Sequence, residues 1–114
     1  MNFQEKSERL IAMQKLCLQV EQDCEAMDKF LTFLEEARKR QQELSSFYEE
    51  EWTDLVYDDD INPSADADVL SEVLYEYIPE GHYSIMSEDT IWNALVDHRE
   101  SLLNLLKTIV PMID

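Results

Sequence analysis

The chain has 114 residues, with 26 acidic against 9 basic side chains and a formal charge of −17. That length bounds it to a single domain, 1–114, and a hydrophobic content of 45% is enough for a core, so the acidity does not imply disorder. A field of that sign repels nucleic acid and anionic membrane, and one Gly with three Pro argues for a few long helices over many short strands.

Residues 5–44 predict one long helix. Leu10, Met13, Cys17, Val20, Cys24, Met27, Leu31 and Leu34 alternate steps of three and four, a heptad seam. Phe3 extends it backwards, and Ile11, Leu18, Phe30, Phe33 and Ala37 widen the stripe. The seam turns polar at Arg38 and Gln41. Cys17 and Cys24 lie two turns apart, roughly 10 Å on a helix, beyond the ~7 Å that a disulfide allows. They are expected to be free and to serve as small core hydrophobes.

Ser45-Ser46 offers a break, after which Phe47–Tyr57 reads as a short amphipathic helix. Phe47, Trp52, Leu55 and Val56 would face inward, with Glu49, Glu50, Glu51 and Asp54 outward. Asp58-Asp59-Asp60 ends it, because like charges disfavour a helix C-terminus. Asn62-Pro63 is a helix-start signal for a helix running to about Tyr77, burying Val69, Leu70, Val73, Leu74 and Tyr77. Pro79 and Gly81 stop that helix. Ser87, followed by Glu88 and Asp89, caps the last helix, whose seam is Ile91, Leu95, His98, Leu102, Leu105 and Ile109. Trp92 broadens the seam, and Pro111 ends the helix. The expected fold is an all-α helical bundle. It has a long antiparallel pair, about 5–44 and 87–110, two shorter helices between, and an acidic insert at about 45–86.

Charge is unevenly placed. From Arg40 to Arg99, 58 residues pass without Lys or Arg and carry sixteen carboxylates. The first forty residues hold eight acids against seven bases, and the last sixteen two against two. A strongly negative centre speeds encounter with cationic partners.

Chemical motifs are sparse. Asp58-x-Asp60-x-Asn62-x-Ser64-x-Asp66 resembles the start of a helix-loop-helix calcium site, but the sixth and twelfth positions hold Pro63 and Val69 instead of Gly and Glu. A solvated acidic turn is the plainer reading; weak cation binding stays open. His98, on a seam, reads as a packed core or edge residue, and His82 as exposed. No zinc spacing, nucleophile-base grouping or phosphate loop is present. No metal, cofactor or catalytic residue is assigned, and an enzyme is not expected. No apolar run reaches the ~18 residues of a membrane span, and Met1–Arg9 lacks a signal core, so a cytoplasmic protein is expected.

Aromatics gather in the acidic region. Trp52 and Trp92 are expected in the core. Tyr57, Tyr75 and Tyr83 fit equally a core or an interface of rigid anchors among carboxylates.

Two stretches carry a resemblance. Phe47-Tyr48-Glu49-Glu50-Glu51-Trp52-x-Asp54 and Met86-Ser87-Glu88-Asp89-x-Ile91-Trp92-Asn93-x-Leu95 are similar to the aromatic–acidic–Trp segment and the Ser-Glu-Asp helix start of a small bacterial family of unknown function. Its members are short, acidic and helical, and the long first helix is similar too. This chain departs in a longer, more acidic 58–86 insert. The resemblance implies a fold and a bacterial or phage setting, and no mechanism.

The expected function is stoichiometric binding of a basic protein, as an immunity protein or antitoxin that covers a toxin's cationic site, a nuclease cleft being the natural example. The expected contact residues are Asp54, Asp58, Asp59, Asp60, Asp66, Asp68, Glu72 and Glu76, with Tyr57 and Tyr75 as anchors. A nucleic-acid mimic would instead need carboxylates in two rows near phosphate spacing, and a housekeeping adaptor would use its acidity only for solubility. Partner identity and oligomeric state stay open at this level.

Overall fold

A computed structural model describes the backbone of residues 1–61 and 66–113, and their side chains except those of Asp66 and Ala67. The described elements are all helical: α1 Phe3–Glu50, α2 Trp52–Val56, α3 Asp66–Tyr75, α4 Glu88–Ile109, and a 3-10 turn Val110–Met112. The chain is therefore all-α. It divides into two units, Met1–Lys39 and Arg40–Asp114.

The first unit is helix α1 up to Lys39. Asn2 starts it, its side-chain oxygen accepting the Glu5 N–H at 2.9 Å, with Glu5 in the favoured acidic first turn. Pairs four residues apart line its surface. The Gln4 amide donates to Glu8 at 3.2 Å, and the Gln19 amide to Asp23 at 2.9 Å. The seam is continuous but uncovered: none of the 48 residues of α1 is buried, and Leu10, Val20, Met27 and Leu31 are exposed. Cys17 and Cys24 are free, as expected, but exposed rather than buried. The Cys17 thiol donates to Glu21 at 3.3 Å. Heptad spacing makes these residues share a face without supplying anything to cover it.

The second unit begins with the last turns of α1. The expected break at Ser45-Ser46 does not occur. Serine only weakly disfavours helix interiors, and Leu44, Phe47 and Tyr48 pack against a buried cluster that keeps the helix going to Glu50. The discontinuity falls instead at Glu51, whose φ of −125° and ψ of −27° separate α1 from α2.

That cluster is the core. Among the described residues the buried hydrophobics are Trp52, Val56 and Ile91, at 6%, 7% and 1% exposure. Leu44, Phe47, Tyr48, Met86 and Leu95 pack around them. The Trp52 indole N–H donates to the Ile85 carbonyl at 2.7 Å, which satisfies the one polar atom the side chain would otherwise bury. Tyr48 and Tyr57 flank the indole at ring-centroid distances of 5.8 and 6.2 Å, the second edge-on at 89°. Trp52 thus takes its expected core place, whereas Trp92 is 57% exposed. It neighbours Ile91 in sequence but points off the buried stripe.

α2 ends as the Asp triplet requires. Asp58 N–H bonds the Leu55 carbonyl at 3.3 Å, Ile61 N–H returns to the Asp58 carbonyl at 3.0 Å, and Asp60 N–H bonds the Asp58 carboxylate at 2.8 Å, an Asx turn. The Asn62-Pro63 helix start lies outside the described residues. α3 stops at Tyr75, two residues before the expected end. Of its expected core set Leu70 and Leu74 are half-buried, while Val69 and Val73, with Tyr77 just beyond, are exposed. Pro79 to His82 form a turn closed by a 3.1 Å bond, with Gly81 at φ 84°, a value that L side chains rarely adopt. Ser87 stands at the N-cap of α4 with extended backbone, but its hydroxyl makes no cap bond. His98 is half-buried and His82 exposed.

With so few buried side chains, stability concentrates on them. Trp52→Ala is expected to cost about 3–5 kcal/mol and Ile91→Ala about 2–5 kcal/mol. Leu55→Ala, next door but exposed, should cost under about 1 kcal/mol. Denaturant titration of the three variants checks the order; equal losses would place the core elsewhere.

Candidate functional site

Acidic residues of the second unit are displayed by two short helices and a turn. Asp54 lies on α2, with Tyr57 at its C-cap. Asp58, Asp59 and Asp60 follow in the Asx turn, and all five side chains are exposed. The turn holds the triplet at the surface because backbone and carboxylate oxygens of Asp58 both accept bonds from within it. On α3, Asp68, Glu72 and Glu76 recur every four residues, so they fall on one helical face. Glu76 sits one residue past the helix end, held by its N–H to the Val73 carbonyl at 3.2 Å. All three are exposed, as is Tyr75. Asp66 opens α3, and its side chain lies outside the described residues.

An apolar hollow joins these two acidic groups. A cavity of about 180 Å³ is lined by Trp52, Leu55 and Val56 from α2, Leu70 and Leu74 from α3, and Ile85, among others. α2 and α3 therefore share a wall, and the carboxylates project from residues beside it. Apolar ground bordered by like charges suits a partner carrying hydrophobic side chains among Lys and Arg.

Tyr57 is tied in rather than free to swing. Its hydroxyl donates to Glu88 Oε1 at 3.3 Å, and its ring meets the Trp52 indole edge-on. Glu88 thereby joins the site, although the sequence marks it only as a first-turn acid of α4. Leu70 and Leu74, which helical spacing marks as apolar, also line the cavity, as do Ile61 and Ile85. Ile61 and Ile85 are single apolar residues in connecting segments, which have no period and are easily passed over. A second, open hollow of about 600 Å³ lies along α4, bordered by His82, Tyr83, Asp89, Asn93 and Asp97.

The Asp58–Asp66 oxygen series falls partly outside the described residues. Among those described, no three His, Cys, Asp or Glu side chains group to hold a metal ion. No described helix is long and apolar enough to cross a membrane.

No curated protein matches the chain, and no solved structure does. A family model, described as a domain of unknown function (DUF4298), matches residues 10–108. That span takes in most of α1, both short helices and nearly all of α4, including the two stretches singled out in the sequence, and the chain belongs to this family of unknown function, DUF4298.

Proposed function

We propose that this protein binds a basic protein stoichiometrically and neutralises it, acting in a bacterial cytoplasm as an immunity protein or antitoxin rather than as an enzyme. The observation that carries this reading is the run of 58 residues with sixteen carboxylates and no Lys or Arg. A nuclease toxin attracts phosphate, so its cleft is positive, and an acidic surface meets such a cleft quickly and fills it. Asp54, Asp58, Asp59, Asp60, Asp66, Asp68, Glu72 and Glu76 supply the field, and Tyr57 and Tyr75 the rigid contact area. The hollow beside Trp52 supports the same reading, because charge alone gives rate and register while apolar anchors give lifetime.

The bundle form of the fold belongs to this reading. The exposed seam of α1 and the exposed C-terminal part of the α4 seam, at Leu102 and Ile109, are apolar, and an antiparallel pairing of about 5–44 with 87–110 would hide part of both. Leu31→Asp tests it. With the seams paired, the variant carries an unpaired charge into an apolar contact and loses several kcal/mol. Melting at the wild-type temperature would show that the seams do not pair at that point.

Binding is tested by kinetics against the partner captured from the native host. Association should slow markedly with added salt, and dissociation should respond less. Replacing Asp58, Asp59 and Asp60 together by Asn should lower the on-rate and leave the fold intact or slightly more stable, since self-repulsion falls. Neutralising Glu5, Glu8 and Glu21 should do far less, because Lys6, Arg9 and Lys15 balance that region. If the N-terminal triple variant is the one that fails, or neither changes binding, the acidic centre is only a solubilising surface.

A further inference from the structure

Along the N-terminal half of the α1 seam, Phe3, Leu10, Met13, Cys17 and Val20 are all exposed. A stripe this apolar marks an association surface.

The charges beside the stripe decide what fits it. With Leu10 in heptad position a and Met13 in d, the g row reads Arg9, Leu16, Asp23, Phe30 and the e row Gln14, Glu21, Asp28, Glu35. In a parallel pair, g faces e one heptad on, which sets Asp23 of each copy against Asp28 of the other. In an antiparallel pair, g faces g and e faces e. Centring that pair on the whole seam, with Leu10 level with Leu34, sets Glu21 against Glu21 and Asp23 against Asp23. Moving it one heptad towards the N-terminus, so that Leu10 meets Met27, leaves Asp23 facing Leu16 and Arg9 facing Phe30. One further heptad removes the conflict. Leu10 then meets Val20, Met13 meets Cys17 and Phe3 meets Met27. Arg9 of each copy faces Asp23 of the other, and Leu16 faces Leu16 across the two-fold axis. Lys6 falls opposite Cys24 and can carry its ammonium outward along its stem. The overlap, Phe3 to Met27, is about 36 Å long and lies wholly within the first unit.

We infer that the chain forms an antiparallel homodimer through residues 3–27 of α1, its register set by two Arg9–Asp23 ion pairs. The interface leaves the acidic centre of both copies open, so it holds whether or not that centre meets a basic partner.

Sedimentation of the full chain at rising concentration reads the association directly: the mass should climb from 13.5 kDa to twice that value. Arg9→Glu and Asp23→Arg should each loosen the dimer about tenfold, two like-charge contacts replacing two attractive ones, and the double variant should recover most of the loss. Both positions are exposed, so folding is not at stake. Orientation is read in a Cys17→Ser, Cys24→Ser background under mild oxidant. Leu10→Cys with Val20→Cys should give a covalent dimer, and Leu10→Cys alone should not. A monomer at every concentration, a dimer indifferent to the charge swaps, or cross-linking through Leu10→Cys alone would each overturn the proposal.

Discussion

One hydrogen bond closes the acidic half of this molecule. The Trp52 indole N–H reaches the Ile85 carbonyl at 2.7 Å across 33 residues of chain. Bringing the ends of so long a segment together is entropically unfavourable, and little apolar area is present to offset that. The bond is part-buried beside the cluster of Trp52, Val56 and Ile91, where an unpaired indole N–H would be costly. Everything the acidic surface can do follows from that closure. It sets α2 and α3 around one hollow and brings Glu88 within reach of Tyr57.

The two units solve different physical problems with the same helical means. The second unit has a small core and a strongly negative surface, so its influence extends roughly a Debye length into solvent. The first is nearly charge-balanced and bears its apolar residues in a line, so it acts only at contact. A long-range field and a short-range seam do not compete for the same partner surface. That separation would let the self-association inferred for α1 coexist with the capture of a cationic protein proposed for the acidic centre.

Periodicity made the helices legible, and its limits account for what was not. The steps of three and four from Leu10 to Leu34 mark α1 and its apolar face without ambiguity, and Asp58-Asp59-Asp60 marks the end of α2. The same pattern assigned Cys17 and Cys24 to a core, because spacing tells which residues share a face and is silent on whether the face is covered. Ser45-Ser46 reads as a break since serine suits caps. The packing of Leu44 and Phe47 on the buried cluster, a tertiary effect, carries the helix through it. Trp92 lies beside the apolar seam and so reads as core, yet the buried stripe of α4 runs through Ile91 and Leu95, and one position along a helix turns a side chain by about 100°. The acidic residues were legible individually. Their grouping around a shared hollow was not, because it depends on α2 and α3 meeting.

Small core and concentrated charge together link folding of the acidic unit to its occupancy. Sixteen carboxylates without an intervening cation repel one another in the folded state more than in an expanded chain, where their mean separation is larger. Among the described residues the buried cluster that holds against that repulsion is Trp52, Val56 and Ile91, with the Trp52 indole N–H donating to the Ile85 carbonyl. A cationic partner replaces repulsion by attraction at the same residues, so its binding free energy adds to the stability of this unit. If the proposed partner binds there, it would stabilise the fold of this unit as well as meet its surface. The first unit takes no part in that exchange: Lys6, Arg9, Lys15 and Lys29 keep its charge near balance, and its stability rests on local helix bonds and on whatever covers its seam.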